Sequence, residues 1–199
     1  KHDAALIKTA GANAAGDPVM TAPISTDHWL LDEHRTKDGQ AVMPGTGYIE
    51  LLAEAAQAQG LKSGFAIRDL YFLRAMPVAD GASSEMRVTL SPVGQDLGVE
   101  MRSDCVLGGK SGWQLHAQAT LAKLVADAPQ AVDLKKIRAA CPQVETPGSD
   151  RLKSPQEAHL DFGPRWHVLR ETAAGTDEGI AKLALPDAYR DDLAEGHLL

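Results

Sequence analysis

A histidine and a proline–glycine pair stand out in residues 28–50, which read HWLLDEHRTKDGQAVMPGTGYIE. His34 lies in a polar stretch ten residues before Pro44, and Gly45 follows directly. Imidazole, with an ordinary pKa of about 6.5, is the side chain best suited to take a proton near neutral pH. A glycine at the start of a helix lets a ligand approach the free N–H groups of the first turn, which can bind a carbonyl oxygen that gains negative charge. Spacing alone also permits two ordinary interpretations, a structural histidine and a simple turn before a helix.

The element that must present Gly45 is a helix predicted over residues 46–59, TGYIELLAEAAQAQ. Its residues are mostly strong helix formers, and Thr46 can cap its start while Gly60 can end it. The helical period places an apolar stripe on one face and polar residues on the other. The stripe consists of Tyr48, Leu51, Leu52, Ala55 and Ala56, and the polar face of Glu50, Glu54 and Gln57. Because much of this surface is alanine, a sheet could approach the helix closely.

After Gly60 the apolar residues recur with a period of two, which predicts strands. The predicted strands cover 65–73, 86–90, 99–104 and 113–121, with a glycine-rich turn at 108–112 before the last of them. In that last strand, Trp113, Leu115 and Ala117 fall on one face and His116 on the other. One helix followed by four strands in an antiparallel meander indicates the α+β class.

The remaining segments are predicted to connect or bound these elements. Residues 1–23, rich in alanine and glycine, are expected to form an arm with at most short strands, and order is expected from about Ile24. Residues 125–150 contain prolines and a short amphipathic stretch, which predicts a connection between two parts of one domain. Residues 178–185 have a strand-like pattern, and 195–199 contain no terminator, so the chain is expected to stop within an element.

Composition narrows the classes of partner and compartment. The chain has 199 residues and a net charge of −7, which disfavours nucleic acid and anionic membranes as partners. Its two cysteines lack the spacing of a zinc site or a disulfide framework, which predicts a reducing compartment and no bound metal. No apolar run of about 18 residues occurs, and the N-terminal stretch lacks the apolar segment of a signal peptide. These features predict a cytoplasmic protein that does not span a membrane.

Several familiar motifs are absent from the sequence. Gly109-Lys110-Ser111 resembles the end of a phosphate loop, but Asp104 stands where the first glycine of that loop belongs. The patterns GxSxG, HExxH and GxGxxG do not occur. The sequence therefore argues against nucleotide binding, serine hydrolysis and zinc proteolysis.

Two segments resemble a known family. WLLDEHRTKDGQAVMPGTGYIEL, at 29–51, resembles the dehydratase domains of modular polyketide synthases, in which a histidine is followed by spaced glycine and proline residues and then by a proline–glycine start of a helix containing tyrosine and glutamate. DFGPRW, at 161–166, is similar to the Tyr-Gly-Pro motif near the start of the second half of that family. The order of the intervening strands also agrees, so the resemblance covers nearly the whole chain.

The resemblance implies a double hotdog, in which two antiparallel sheets each wrap a long central helix. On this interpretation residues 1–124 form the first hotdog with its N-terminal arm, 125–150 the linker, and 151–199 the start of a second hotdog that is incomplete in this chain. The family's catalytic aspartate lies at the start of the second central helix, and it is expected beyond Leu199.

The resemblance also assigns roles to individual residues. His34 is expected to be the catalytic base, and a backbone N–H at the start of the helix to bind the thioester oxygen, with Gly45 as the first choice and Gly39 as the second. Other residues are expected to contact the substrate: Pro44, Tyr48, Phe162, Gly163 and Pro164. The implied reaction removes water from a β-hydroxyacyl group on the phosphopantetheine arm of an acyl carrier protein, without a cofactor, in a homodimer within a larger synthase.

Two departures from the family pattern keep alternatives open. The spacing from His34 to Gly39 is one residue longer than usual, and Phe162 replaces the tyrosine of the Tyr-Gly-Pro motif, which removes a hydroxyl group. A related double hotdog could shift a double bond or close an oxygen heterocycle by oxa-Michael addition with the same histidine. A non-catalytic module that binds acyl chains or mediates dimerisation is the third hypothesis.

Overall fold

The computed structural model describes residues 6–61, 64–124, 130–148 and 151–194. The strands are β1 Thr9–Ala12, β2 Pro18–Ser25, β3 His34–Thr36, β4 Ala41–Val42, β5 Phe65–Phe72, β6 Pro77–Val78, β7 Ser83–Val93, β8 Asp96–Leu107, β9 Lys110–Lys123, β10 Gln143–Glu145, β11 Leu160–Phe162, β12 Leu169–Ala174 and β13 Gly179–Leu183. The α-helices are α1 Trp29–Asp32, α2 Gly45–Ala58 and α3 Leu134–Ala140, and three 3₁₀ helices cover Pro155–Ala158, Pro164–Trp166 and Asp187–Ala194.

The largest sheet is antiparallel and has the strand order β1-β2-β7-β8-β9-β5. Strands β7, β8 and β9 form the predicted meander, and Gly108 and Gly109 join the last two with positive φ angles of 56° and 76°. The expected position of the first strand is wrong, because β5 pairs with β9 and not with β7. Between β5 and β7 the chain passes through β6, which belongs to another sheet.

The N-terminal segment contributes to the largest sheet, which corrects the expectation of an arm up to residue 23. Strands β1 and β2 form a hairpin, and β2 pairs along its length with β7. Met20 and Ala22 are fully buried in the core. Small residues and prolines weaken the strand pattern in this segment. Pro23 is tolerated because it lies beyond the stretch of β2 that pairs with β1.

Helix α2 lies at the centre of this sheet's core and is buried on nearly every side. It begins at Gly45 with Pro44 as its N-cap, so the predicted cap at Thr46 is wrong. The face that carries Glu50 and Glu54 is buried as well, since these residues are only 6% and 3% exposed. The Glu54 carboxylate accepts hydrogen bonds from backbone N–H groups of the N-terminal segment, including that of Leu6 at 2.9 Å. The N-terminal segment thus covers this side of the helix.

A β-bulge interrupts the alternation in β9. The register between β8 and β9 shifts between Met101 and Arg102, which turns His116 inward. The His116 Nδ1–H donates to the Arg74 carbonyl at 3.1 Å, and Nε2 lies 2.8 Å from the Ser103 hydroxyl. Trp113, which the alternation placed with Ala117, is 37% exposed. The predicted alternation therefore holds from Ala117 onward and fails before it.

Two smaller sheets complete the described chain. Strands in the order β11-β3-β4-β6 form one, and β10-β12-β13 form the other. The six-stranded sheet around α2 confirms the predicted hotdog, and after residue 124 no long helix occurs among the described residues. Strand β10 lies inside the predicted 125–150 linker but pairs with β12, and the division into domains stays a prediction. The expectation for residues 195–199 lies outside the described residues.

No helix within the described residues is long and apolar enough to cross a membrane.

Candidate active site

His34 is the first residue of β3 and is only 9% exposed. Helix α1, which ends at Asp32, places Leu30 and Leu31 in the core shortly before His34. Its Nδ1 lies 2.7 Å from the carbonyl oxygen of Val42 on the neighbouring strand β4. A carbonyl oxygen can only accept, so Nδ1 carries the hydrogen and Nε2 of the neutral ring keeps its lone pair. Nε2 is therefore the atom that can take a proton.

The surroundings of His34 favour its neutral form. Burial lowers the pKa of His34, and the hydrogen bond to the Val42 carbonyl only partly opposes this effect. The rings of Phe162 and Trp166 each lie with their centroid 5.5 Å from that of the imidazole. A base must be unprotonated at the working pH, and this apolar wall helps to keep His34 in that state.

Acid should destabilise the folded chain partly through His34. Because the pKa of His34 is lowered on folding, the unfolded chain binds this proton more readily. The stability that neutral His34 contributes is fully present above its ordinary pKa of about 6.5 and is lost as pH falls from there through the lowered value. We expect the free energy of unfolding, measured by urea titration between about pH 7 and about pH 5, to fall less steeply in His34→Gln than in the parent chain. Equal slopes would contradict this assignment, since His116 contributes identically to both proteins.

The start of α2 lies close to His34 along the chain. Val42, which binds the imidazole, is three residues before Gly45, a span of at most about 11 Å. Pro44 forms the N-cap and makes no side-chain capping bond, while the Gly47 N–H donates to the Pro44 carbonyl at 3.0 Å. Gly45 and Thr46 are exposed, and the N–H groups of a first turn have no acceptor within the helix. This helix start can therefore bind a carbonyl oxygen.

Tyr48 lies one turn further along α2 and is buried. Its ring packs against Phe72 at 5.6 Å between centroids, and Phe72 also lies over Gly45, where an added Cβ would come within 3.2 Å of its ring. The Tyr48 hydroxyl has no hydrogen-bond partner within the described residues, and burial raises its pKa. Tyr48 and Phe72 thus form an apolar side wall at the start of α2.

Gly39, the second choice for binding the thioester oxygen, does not lie at the start of α2. It lies in the exposed turn between β3 and β4 with a φ of +87°. Its N–H donates to the Thr36 carbonyl at 2.9 Å, and its carbonyl accepts from Arg35 at 2.8 Å. Because this N–H already donates within the turn, it is a weaker candidate than that of Gly45 for binding the thioester oxygen.

The second sequence segment, in contrast, is brought directly to His34. Strand β11 pairs antiparallel with β3, and Phe162 lies opposite His34 in the register. Gly163 donates its N–H to the Glu33 carbonyl at 2.8 Å, and Pro164 begins the 3₁₀ helix that carries Trp166. Phe162 and Trp166 stack on each other with centroids 5.7 Å apart.

Sequence reasoning missed two residues of this site. Trp166 is the last residue of the motif DFGPRW, but the resemblance assigned it no role. Its aromatic side chain within a matched motif was a signal that could have indicated a place at the site. Glu33 precedes His34, and nothing in the sequence pattern indicated its distant partner Arg165. Their importance follows only from the pairing of β3 with β11.

A mainly apolar cavity of about 410 Å³ borders the aromatic wall of His34. Phe162 and Trp166 line it together with Leu152, Leu169 and Leu183. Over the described ranges, no group of histidine, cysteine, aspartate and glutamate side chains could hold a metal ion.

The sequence is similar to proteins of polyketide synthesis. The family profile described as polyketide synthase dehydratase domain matches residues 5–104. Polyketide synthase ThaG of Burkholderia thailandensis is 28% identical over 192 residues, which is 90% of this chain and 3% of that synthase. The spectinabilin polyketide synthase system protein NorA' of Streptomyces orinoci is 24% identical over 89% of this chain and 5% of its own length. The chain thus spans a small part of each of these large proteins.

Solved structures of dehydratase domains share the fold. A dehydratase domain of a trans-AT polyketide synthase from Brevibacillus brevis superposes with a TM-score of 0.81 at 19% identity, covering 95% of this chain and 67% of that one. The dehydratase domain of the CurF module of curacin polyketide synthase gives a TM-score of 0.82 at 19% identity, covering 98% and 70%. Among the similar CurK dehydratase structures are a histidine-to-phenylalanine mutant and an aspartate-to-asparagine mutant, each described as inactive.

Proposed function

Because this chain belongs to the family of polyketide synthase dehydratase domains, we propose that it takes part in removing water from a β-hydroxyacyl thioester during polyketide synthesis. The observation that carries the proposal is the buried His34, held through Nδ1 by the strand that leads into the start of α2, where Pro44 makes no side-chain capping bond. This arrangement supplies a base and a binding place for a carbonyl oxygen from one short stretch of chain.

The proposed reaction is an elimination in which His34 is the base. Nε2 takes the proton from the carbon next to the thioester carbonyl, and negative charge develops on the carbonyl oxygen. The Gly45 N–H at the positive end of α2 stabilises that charge. The bond from the β-carbon to its hydroxyl group then breaks, the hydroxyl leaves with a proton as water, and a double bond forms between the two carbons.

The proton for the leaving hydroxyl comes from an acid that we do not assign to a described residue. The family resemblance gives this role to an aspartate of the second half. Glu33, the buried carboxylate nearest to His34 in sequence, is paired with Arg165 at 2.6 Å. Both Glu33 carboxylate oxygens already accept hydrogen bonds from Arg165, so we do not assign this role to Glu33.

The substrate contacts are proposed on the same grounds. Pro44 and Tyr48 lie at the start of α2, and Phe162 lies opposite His34, with Gly163 and Pro164 following it in the second segment. The acyl group is proposed to arrive on the phosphopantetheine arm of an acyl carrier protein, because the chain resembles parts of large synthases. A homodimer within such a synthase and a cytoplasmic location are proposed with it.

The test uses the full-length protein that carries this sequence and a β-hydroxyacyl N-acetylcysteamine thioester. We expect mass spectrometry to show an enoyl thioester lighter than the substrate by one water. Unchanged substrate after incubation with folded protein would favour a non-catalytic module. If the protein instead converts a supplied enoyl thioester into a product of equal mass with a shifted double bond or a new ring, an isomerase or cyclase is the better assignment.

A further inference from the structure

Glu33 joins the two sequence segments that meet at the candidate site. One carboxylate oxygen accepts the backbone N–H of Arg165 at 2.6 Å, and the other accepts from the Arg165 guanidinium at 2.6 Å. The Glu33 backbone carbonyl accepts the Gly163 N–H at 2.8 Å. Three hydrogen bonds therefore tie one residue, directly before His34, to a segment more than 100 residues away in sequence.

The fit around this pair is close. The Glu33 side chain is 10% exposed and that of Arg165 is 26% exposed, so water screens their attraction less than at the surface. A Cβ on Gly163 would overlap the side chain of Glu33. The Arg165 guanidinium also lies 4.4 Å from the ring centroid of Tyr189, a cation–π contact that further restricts its movement.

The residues between these attachment points are the ones that cover His34. Phe162 precedes Gly163, and Trp166 follows Arg165, so both attachments lie within the turn that carries the two rings. The bonds at Gly163 and Arg165 therefore hold the backbone on both sides of Pro164, between the two rings.

We propose that Glu33 is a positioning residue that clamps the Phe162–Trp166 turn onto His34 and thereby keeps the imidazole dry and neutral. This inference rests on the proposed function for its purpose, since a dry base matters only if His34 takes a proton. The clamp itself acts on the pKa of His34, which can be measured in the absence of substrate.

Burial lowers the pKa of His34, so loosening the aromatic wall should let this pKa rise toward its ordinary value. The elements packed around the imidazole carry other charged and titratable groups, which also affect this pKa. They are Glu33 with Arg165, Lys37 with Asp161, Arg35 with Asp32 and Asp80, and His167, whose Nε2 lies 3.1 Å from the Phe162 carbonyl.

The experiment measures the His34 pKa by NMR in the full chain with isotope-labelled histidine, the His34 signal being identified by its loss in His34→Gln. We expect Glu33→Ala and Arg165→Met each to raise this pKa by about half a unit or more. Glu33→Gln, which keeps an acceptor for the Arg165 backbone N–H, should fall between Glu33→Ala and the parent. Lys37→Met removes an exposed ion pair between the residue after β3 and Asp161 of β11 and serves as the matched control, with no shift expected.

An unchanged His34 pKa in folded Glu33→Ala and Arg165→Met would overturn the clamp, as would an equal shift in Lys37→Met. Failure of both clamp variants to fold would also overturn it, because the pair would then be required for the fold as a whole. The Nδ1–H form of the ring should persist in every variant, since Val42 is untouched. If the pKa shifts as expected but the parent protein dehydrates no thioester, the clamp stands and the proposed function fails.

Discussion

We expect His34→Gln to lower kcat/KM for dehydration of the β-hydroxyacyl thioester by about 10²–10⁴-fold, the usual contribution of a positioned base. Glutamine has no lone pair of suitable basicity, but its amide N–H can still donate to the Val42 carbonyl that now binds Nδ1. The fold should therefore survive, and the loss should be chemical. The measurement is the rate of enoyl formation in the full-length protein.

His159→Gln is the control for this result. His159 is an exposed histidine at the end of a 3₁₀ helix of the second segment, and it makes no part of the proposed site. Its substitution should leave the rate unchanged. Turnover of folded His34→Gln within a few-fold of the parent would remove the base from the proposed mechanism.

Gly45→Pro should cost about 10²–10³-fold in kcat, the usual effect of losing one donor to a developing oxyanion. Proline removes the N–H of Gly45 while its φ suits the first position of a helix. Pro44 before it already has a ψ of 153°, which a following proline requires. The helix should therefore form as before, with one donor missing.

Gly45→Ala separates the loss of the donor from the added bulk. It introduces a Cβ near Phe72, as proline does, but it keeps the N–H. Phe72 is 55% exposed and can move aside, so we expect the alanine variant to retain most of the activity. Similar losses in the two variants would mean that steric contact, and not the N–H, is responsible.

Much of the first hotdog was predictable from local pattern. The central helix, the strands β7 to β9 and the two-glycine turn all follow from period and turn chemistry, and each was found close to its predicted place. The local pattern does not predict burial that depends on a partner from another segment. Glu54 is buried because the N-terminal segment supplies N–H groups to its carboxylate, and His116 is buried because a bulge in β9 turns it inward.

The sequence by itself determined that a histidine precedes a glycine-led helix and that a second motif occurs at 161–166, because both depend only on residue type and spacing. Tertiary structure decided that these motifs meet, since the pairing of β3 with β11 is a contact between segments more than 100 residues apart. It also decided which imidazole nitrogen is free, which glycine keeps an available N–H, and that Glu33 holds the aromatic wall. Each of these depends on where a hydrogen-bond partner lies in space, and spacing along the chain carries no such information.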